Sequence, residues 1–121
     1  MSETEKGIQK NLELKESRGY TKSVSLLVHE VNGWFIDRGL DKAEPIAQFT
    51  KLVEEVSELG VAIIQNDTEE TIDAIGDSLV VLIGICLQLD LDLATCLETA
   101  YDVIKLRTGK LVNGILVKDH A

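Results

Sequence analysis

Aromatic side chains are scarce in this 121-residue chain, at 4% of the total, so its interior has to be built from Leu, Ile, Val and Ala. Cysteine is limited to Cys86 and Cys96, which form neither a CxxC pair nor a zinc-type spacing. Both lie in apolar helical stretches and read as buried free thiols of a reducing compartment. Long hydrophobic runs are missing as well. The longest, Leu79 to Leu89, is too short to span a bilayer and contains Gln88. No charged-then-apolar signal opens the sequence, so a cytoplasmic location and no membrane partner are expected. Positive charge is in deficit, with a formal net charge of −9, which argues against nucleic acids and anionic membranes as partners. A polyanionic substrate would be repelled too, unless metal ions came with it. The length suits one domain with a single core.

What is present is helical periodicity. Residues 1–19 are polar, with Ile8, Leu12 and Leu14 widely spaced, and read as a mobile or weakly helical arm ahead of a domain over 20–121. A first domain helix is expected from Ser23 to Asp37, with Val24, Leu27, Val28, Val31, Trp34 and Phe35 on one stripe and Gly39 past its end. A second should start between Asp41 and Pro45, where Asp41 and Glu44 resemble a capping box, and run to about Gln65. Its apolar side is Ile46, Phe49, Leu52, Val53, Val56, Leu59 and Ile63. Asp67 opens a third helix reaching Leu89, apolar on nearly every face from Ile72 onward. A fourth is expected from Leu93 to Arg107 after an Asp92 cap. Asn113-Gly114 between apolar runs signals a short hairpin. The architecture expected is all-α: a four-helix-type bundle with a C-terminal β-hairpin and a flexible N-terminal arm. A third helix apolar all round is more than a small monomer needs, so a homodimer or a tetramer of dimers is expected.

The chemistry lies in the carboxylates. Glu54, Glu55 and Glu58 occupy one flank of the second helix, since at roughly 100° per residue Glu54 and Glu58 are ~40° apart and Glu55 and Glu58 ~60° apart. A lone EExxE is most simply a solvated helix face. Asp73 and Asp77, however, stand four residues apart in an otherwise apolar helix, where like charges repel. Carboxylates beside a dry core need a compensating cation. Several hard oxygen donors favour Mg²⁺, with Mn²⁺ as an alternative, over zinc. Glu70 is equally well explained by capping.

Lys51-Leu-Val-Glu-Glu-Val-Ser-Glu-Leu59, then Asp73-Ala-Ile-Gly-Asp77 with its apolar tail, resembles the MazG-like members of the all-α nucleoside triphosphate pyrophosphohydrolases, over about Val24 to Lys118. The C-terminal stretch from Ala100 to Lys110, followed by Val112-Asn113-Gly114, is similar to the single-domain phage and bacterial branch. The family pattern is EExxE followed by ExxD. Glu54, Glu55, Glu58 and Asp77 match it, while Ala74 stands where the Glu of ExxD belongs. Asp73, one residue earlier on a shared face, is the substitute.

The resemblance implies Mg²⁺-dependent hydrolysis of (deoxy)nucleoside triphosphates to the monophosphate and pyrophosphate, with nucleotide-pool sanitation as a role. It makes Glu55, Glu58, Asp73 and Asp77 the metal ligands and Glu54 the residue that orients or deprotonates water. Lys51, Lys105, Arg107 and Lys110 are candidates for phosphate contacts, set against ordinary solvated or helix-end cations. Trp34 can stack on a base or pack in the core, and Gln48, one turn before Lys51, can meet the nucleotide. In this family neighbouring subunits complete each other's sites. Two other readings stand beside this one. Phosphoribosyl-ATP pyrophosphohydrolase is disfavoured because its Glu-Ala-Ala-Asp-Leu-type motif reads Asp73-Ala-Ile-Gly-Asp77 here. A non-catalytic helical oligomerisation module gains weight from Ala74.

Overall fold

A computed structural model describes residues 1–19 and 22–119. Helix α1, Glu3–Arg18, begins where the Ser2 hydroxyl accepts the Glu5 N–H at 3.1 Å and ends at Gly19 with φ of 72°. The arm expected to be at most weakly helical is thus a continuous helix with ordinary caps. Among the described residues no Cα of another element comes within 8 Å of it. The proposed start of the domain at residue 20 falls outside the described residues.

Helix α2, Val24–Asp37, is capped by Ser23, whose hydroxyl accepts the Leu26 N–H, and it stops at Arg38 before the left-handed Gly39. A short 3-10 turn, Leu40–Lys42, follows. It occupies the segment read as a capping box, and Glu44 fills the N-cap position of α3 without a side-chain bond. Pro45 is the first residue of α3, Pro45–Ile64, where the missing N–H breaks no helical bond. Asp67 caps α4, Thr68–Gln88, by accepting the Glu70 N–H at 3.1 Å. Asp92 does the same for α5, Leu93–Ile104, which ends three residues short of the expected Arg107. Strands β1, Gly109–Val112, and β2, Ile115–Lys118, form the hairpin. Asn113 and Gly114 both have positive φ in its two-residue turn, as a type I′ connection demands.

The three-residue link Gln65–Asp67 folds α3 and α4 into an antiparallel helical hairpin, the main contact of the molecule. Helix α2 packs on α4, with the Phe35 ring seated where Gly84 has no side chain. The Gln88 amide donates to the Leu40 carbonyl at 2.9 Å and ties the 3-10 turn to the end of α4. Helix α5 leaves α4 at 105° and meets it only near the joint. The buried apolar residues are Phe35, Ala62, Ala74, Val81 and Ile83. The expected α3 stripe is split: Leu52 and Leu59 are half-buried, while Ile46, Phe49, Val53, Val56 and Ile63 are exposed, so one chain leaves the bundle open. Cys86 is half-buried and Cys96 exposed, which corrects the reading of two buried thiols. No single described helix is long and apolar enough to cross a membrane.

Candidate active site

Glu55 and Asp77 lie equally far along the chain from Asn66, and the α3–α4 hairpin therefore sets them opposite one another. Glu55 does not sit on an open flank as helical spacing alone implies. Its residue exposure is 4%, because the approach of α4 covers it. One carboxylate oxygen, Oε1, forms an ion pair with the Lys51 ammonium at 3.1 Å. The other, Oε2, is buried without any hydrogen-bond partner. An orphaned carboxylate oxygen in a dry site is costly.

The same ammonium stands 3.5 Å from Glu54 Oε2, whose side chain is largely exposed. Glu58, one turn after Glu54, is exposed, and its carboxyl is pushed above the ordinary glutamate value chiefly by the charge of Glu55. Asp77 is half-buried and likewise pushed up, first by burial and then by the charges of Asp73 and Glu55. Asp73 is exposed at the outer edge. Ala74 is 3% exposed, so the position where the family pattern puts a Glu is packed against the neighbouring helix here. Lys51 is held above its ordinary value first by its contact with Glu55 and then by the charges of Glu55 and Glu54.

These carboxylates share one electrostatic neighbourhood, and hard oxygen donors with an orphaned buried oxygen suit a divalent cation of the magnesium type. As placed, no three carboxylate, histidine or cysteine side chains among the described residues come together closely enough to grip one ion. The donor chemistry fits, while the grip requires side-chain rearrangement around Lys51.

Two hollows flank the acids. A cleft of about 320 Å³ is lined by Ser57, Glu58, Val61, Gln65 and Glu70 at the turn end of α3 and α4. Glu70 and Gln65 were not singled out as site residues, because capping and the helix end explain them locally. A groove of about 330 Å³ is lined by Leu27, Glu30, Val31, Trp34 and Val80. Val80 follows Asp77 by three residues on α4, so this groove adjoins the acids. Trp34 is 46% exposed rather than core, and it carries the Arg38 guanidinium over its ring at 4.1 Å. Gln48 is half-buried, one turn before Lys51.

Lys105, Arg107 and Lys110 are not brought to the acids. Lys105 pairs with Asp102 at 2.9 Å, and no Cα of α5 or the hairpin lies within 8 Å of an α3 Cα.

The structure is an all-α fold whose α3–α4 hairpin carries carboxylates on both of its helices. Residues 29–102, well over half of the chain, match the phosphoribosyl-ATP pyrophosphohydrolase (PRA-PH) family, and the chain belongs to that family. It shares the all-α NTP pyrophosphatase superfamily with MazG. The match spans Trp34, Gln48, Lys51 and all five carboxylates, and stops short of Lys105, Arg107 and Lys110. No curated protein and no solved structure matches the chain. The family is one of enzymes acting on nucleotide pyrophosphate bonds. The substrate ranked lower on the Asp73-Ala-Ile-Gly-Asp77 motif is thereby favoured at least as well as the free triphosphates.

Proposed function

We propose that the chain hydrolyses the bond between the α and β phosphates of a nucleotide 5′-triphosphate group, leaving the monophosphate and releasing pyrophosphate. Phosphoribosyl-ATP is the substrate the family match favours. Free (deoxy)nucleoside triphosphates stand second, on the Lys51–Leu59 and Asp73–Asp77 motifs. Both present the same triphosphate, and the observation that carries the proposal is common to both. That observation is the buried Glu55, with one oxygen orphaned, among Glu58, Asp73 and Asp77 on facing helices.

Glu55, Glu58, Asp73 and Asp77 would hold Mg²⁺ or Mn²⁺. When bound, such an ion neutralises phosphate charge and lowers the pKa of a coordinated water. Glu54, exposed beside Lys51, would orient that water and accept its proton. Lys51 would contact the phosphates, and the Trp34 groove would take the base or sugar. Lys105, Arg107 and Lys110, which do not approach α3, would serve from a neighbouring copy in a homodimer or a tetramer of dimers.

The test is pyrophosphate release from phosphoribosyl-ATP and a panel of ribo- and deoxyribonucleoside triphosphates, with and without Mg²⁺. Cleavage of phosphoribosyl-ATP alone selects the first substrate, and cleavage of the panel selects the second. If every substrate stays intact and no metal binds, the enzyme reading is lost.

A further inference from the structure

Lys51 sits one turn before two carboxylates that belong to the acidic patch. On a helix surface Glu followed four residues later by Lys is the better order, and here the Lys precedes both of its partners. It leans on Glu54 and Glu55 from one turn upstream, 3.5 and 3.1 Å away. Glu55 is the buried member, and the ammonium touches one of its oxygens while the other stays orphaned. Lys51 also counters the carboxylates of Glu58 and Asp77, so a single ammonium acts on the acids of both helices. A cation held by those acids would have to occupy the same neighbourhood. The ammonium has one charge and a flexible stem, and its side chain is 52% exposed, so it can leave.

We propose that Lys51 is a displaceable counter-ion. It pairs with Glu54 and Glu55 until Glu55, Glu58, Asp73 and Asp77 take up a divalent cation, and is released toward the substrate phosphates when that cation enters. This rests on the pyrophosphohydrolase reading and adds a loading step to it. It fits the present arrangement, in which Glu54 and Glu55 pair with an ammonium and no three carboxylates among the described residues come close enough to grip one ion. It also gives the released lysine a second partner, since phosphate oxygens brought in beside the metal are ready acceptors for an ammonium.

The experiment is titration of the full chain with MgCl2 alone, by calorimetry, for wild type, Lys51→Met and Lys51→Arg. Removing the competing charge should tighten Mg²⁺ binding by about threefold to tenfold in Lys51→Met, a modest gain because the pair is half-exposed. Lys51→Arg keeps the charge and should stay within about twofold of wild type. In EDTA, Lys51→Met should melt below wild type, and saturating Mg²⁺ should close that gap. At saturating Mg²⁺ its KM for the cleaved nucleotide should rise more than its kcat falls. Unchanged or weaker Mg²⁺ binding in Lys51→Met overturns the proposal, because it makes Lys51 a bystander or a support for the ligands. If Lys51→Met loses its helical circular dichroism in EDTA, recovery with Mg²⁺ supports the proposal and failure to recover overturns it. Wild type that neither binds Mg²⁺ nor cleaves any nucleotide removes the function reading and this one together. A change confined to the Lys51 variants bears on this one alone.

Discussion

Burial of a single carboxylate, Glu55, organises the acidic patch, and its neighbours carry the testable chemistry. Glu58→Gln and Asp77→Asn should each reduce pyrophosphate release by more than about a hundredfold, since even outer-shell partners of a metal account for about 10–100-fold. Helical circular dichroism should be unchanged, because Glu58 is exposed and Asp77 half-buried. Near-normal activity in either variant would remove that residue from the site. The pH dependence follows from the same groups. Glu58 and Asp77 are pushed up in the folded chain, so they bind protons at pH values where the unfolded chain has released them. Stability therefore falls as pH climbs from the ordinary carboxylate values near ~4 through the folded ones, and the penalty is absent below that window. In EDTA, the melting temperature of Asp77→Asn should gain on wild type as pH is raised through this window. Saturating Mg²⁺ should abolish the gain, and a gap that shrinks with pH in EDTA would contradict the assignment. Asp73 and Asp77 stood out in the sequence, because like charges inside an apolar helix are conspicuous. The burial of Glu55 was not, since helical spacing fixes its angle on α3 and only the approach of α4 decides whether that angle is wet. The Lys51–Glu55 pairing needs no such partner, since it follows from their i,i+4 spacing on α3.

Elements whose ends are marked by local chemistry were readable from sequence. Ser23, Asp67 and Asp92 cap α2, α4 and α5 through side-chain bonds to their own first turns, and Asn113-Gly114 sets the hairpin. Boundaries were misread where a short-range signal had a competitor. Asp41 and Glu44 resemble a cap, yet the chain forms the 3-10 turn Leu40–Lys42 there, and the Gln88 amide fastens it to α4 through the Leu40 carbonyl. That fastening depends on a partner 48 residues away, beyond the reach of pattern reading. Helix α2 meets α4 through an equally specific fit. A Cβ on residue 84 would lie 2.6 Å from Phe35 Cε1, so Gly84→Ala should destabilise the fold by about 1–3 kcal/mol as the ring is forced aside. Urea unfolding measures this. Phe35→Leu placed on top should recover part of the loss, and a neutral Gly84→Ala would mean that α2 docks more loosely than the ring contact implies.

The whole molecule exposes far more surface than its length requires. Its accessible area is 9651 Å², against about 6,500 Å² expected for a compact monomer of this mass. The separate α1 and hairpin account for part of the excess, and the outward stripe of α3 for another. Phe49, Val53 and Val56 are each about half exposed, at 53%, 51% and 53%. Contiguous apolar faces of this kind are normally covered by another chain. Light scattering behind size exclusion should give a multiple of the chain mass, and Phe49→Glu should lower it. A wild-type monomer at tens of micromolar would refute this. The sequence carried the hint in the all-round apolarity of α4, although it could not say that α3 would contribute the larger open stripe. Helix α1 has the opposite character. Sixteen residues with no neighbour from another element among the described residues are marginal as a helix in water. Its amide hydrogens should therefore trade with deuterium almost as fast as in a free peptide, while those of α4 are retained long afterwards, so a single exchange map would split the chain at residue 19.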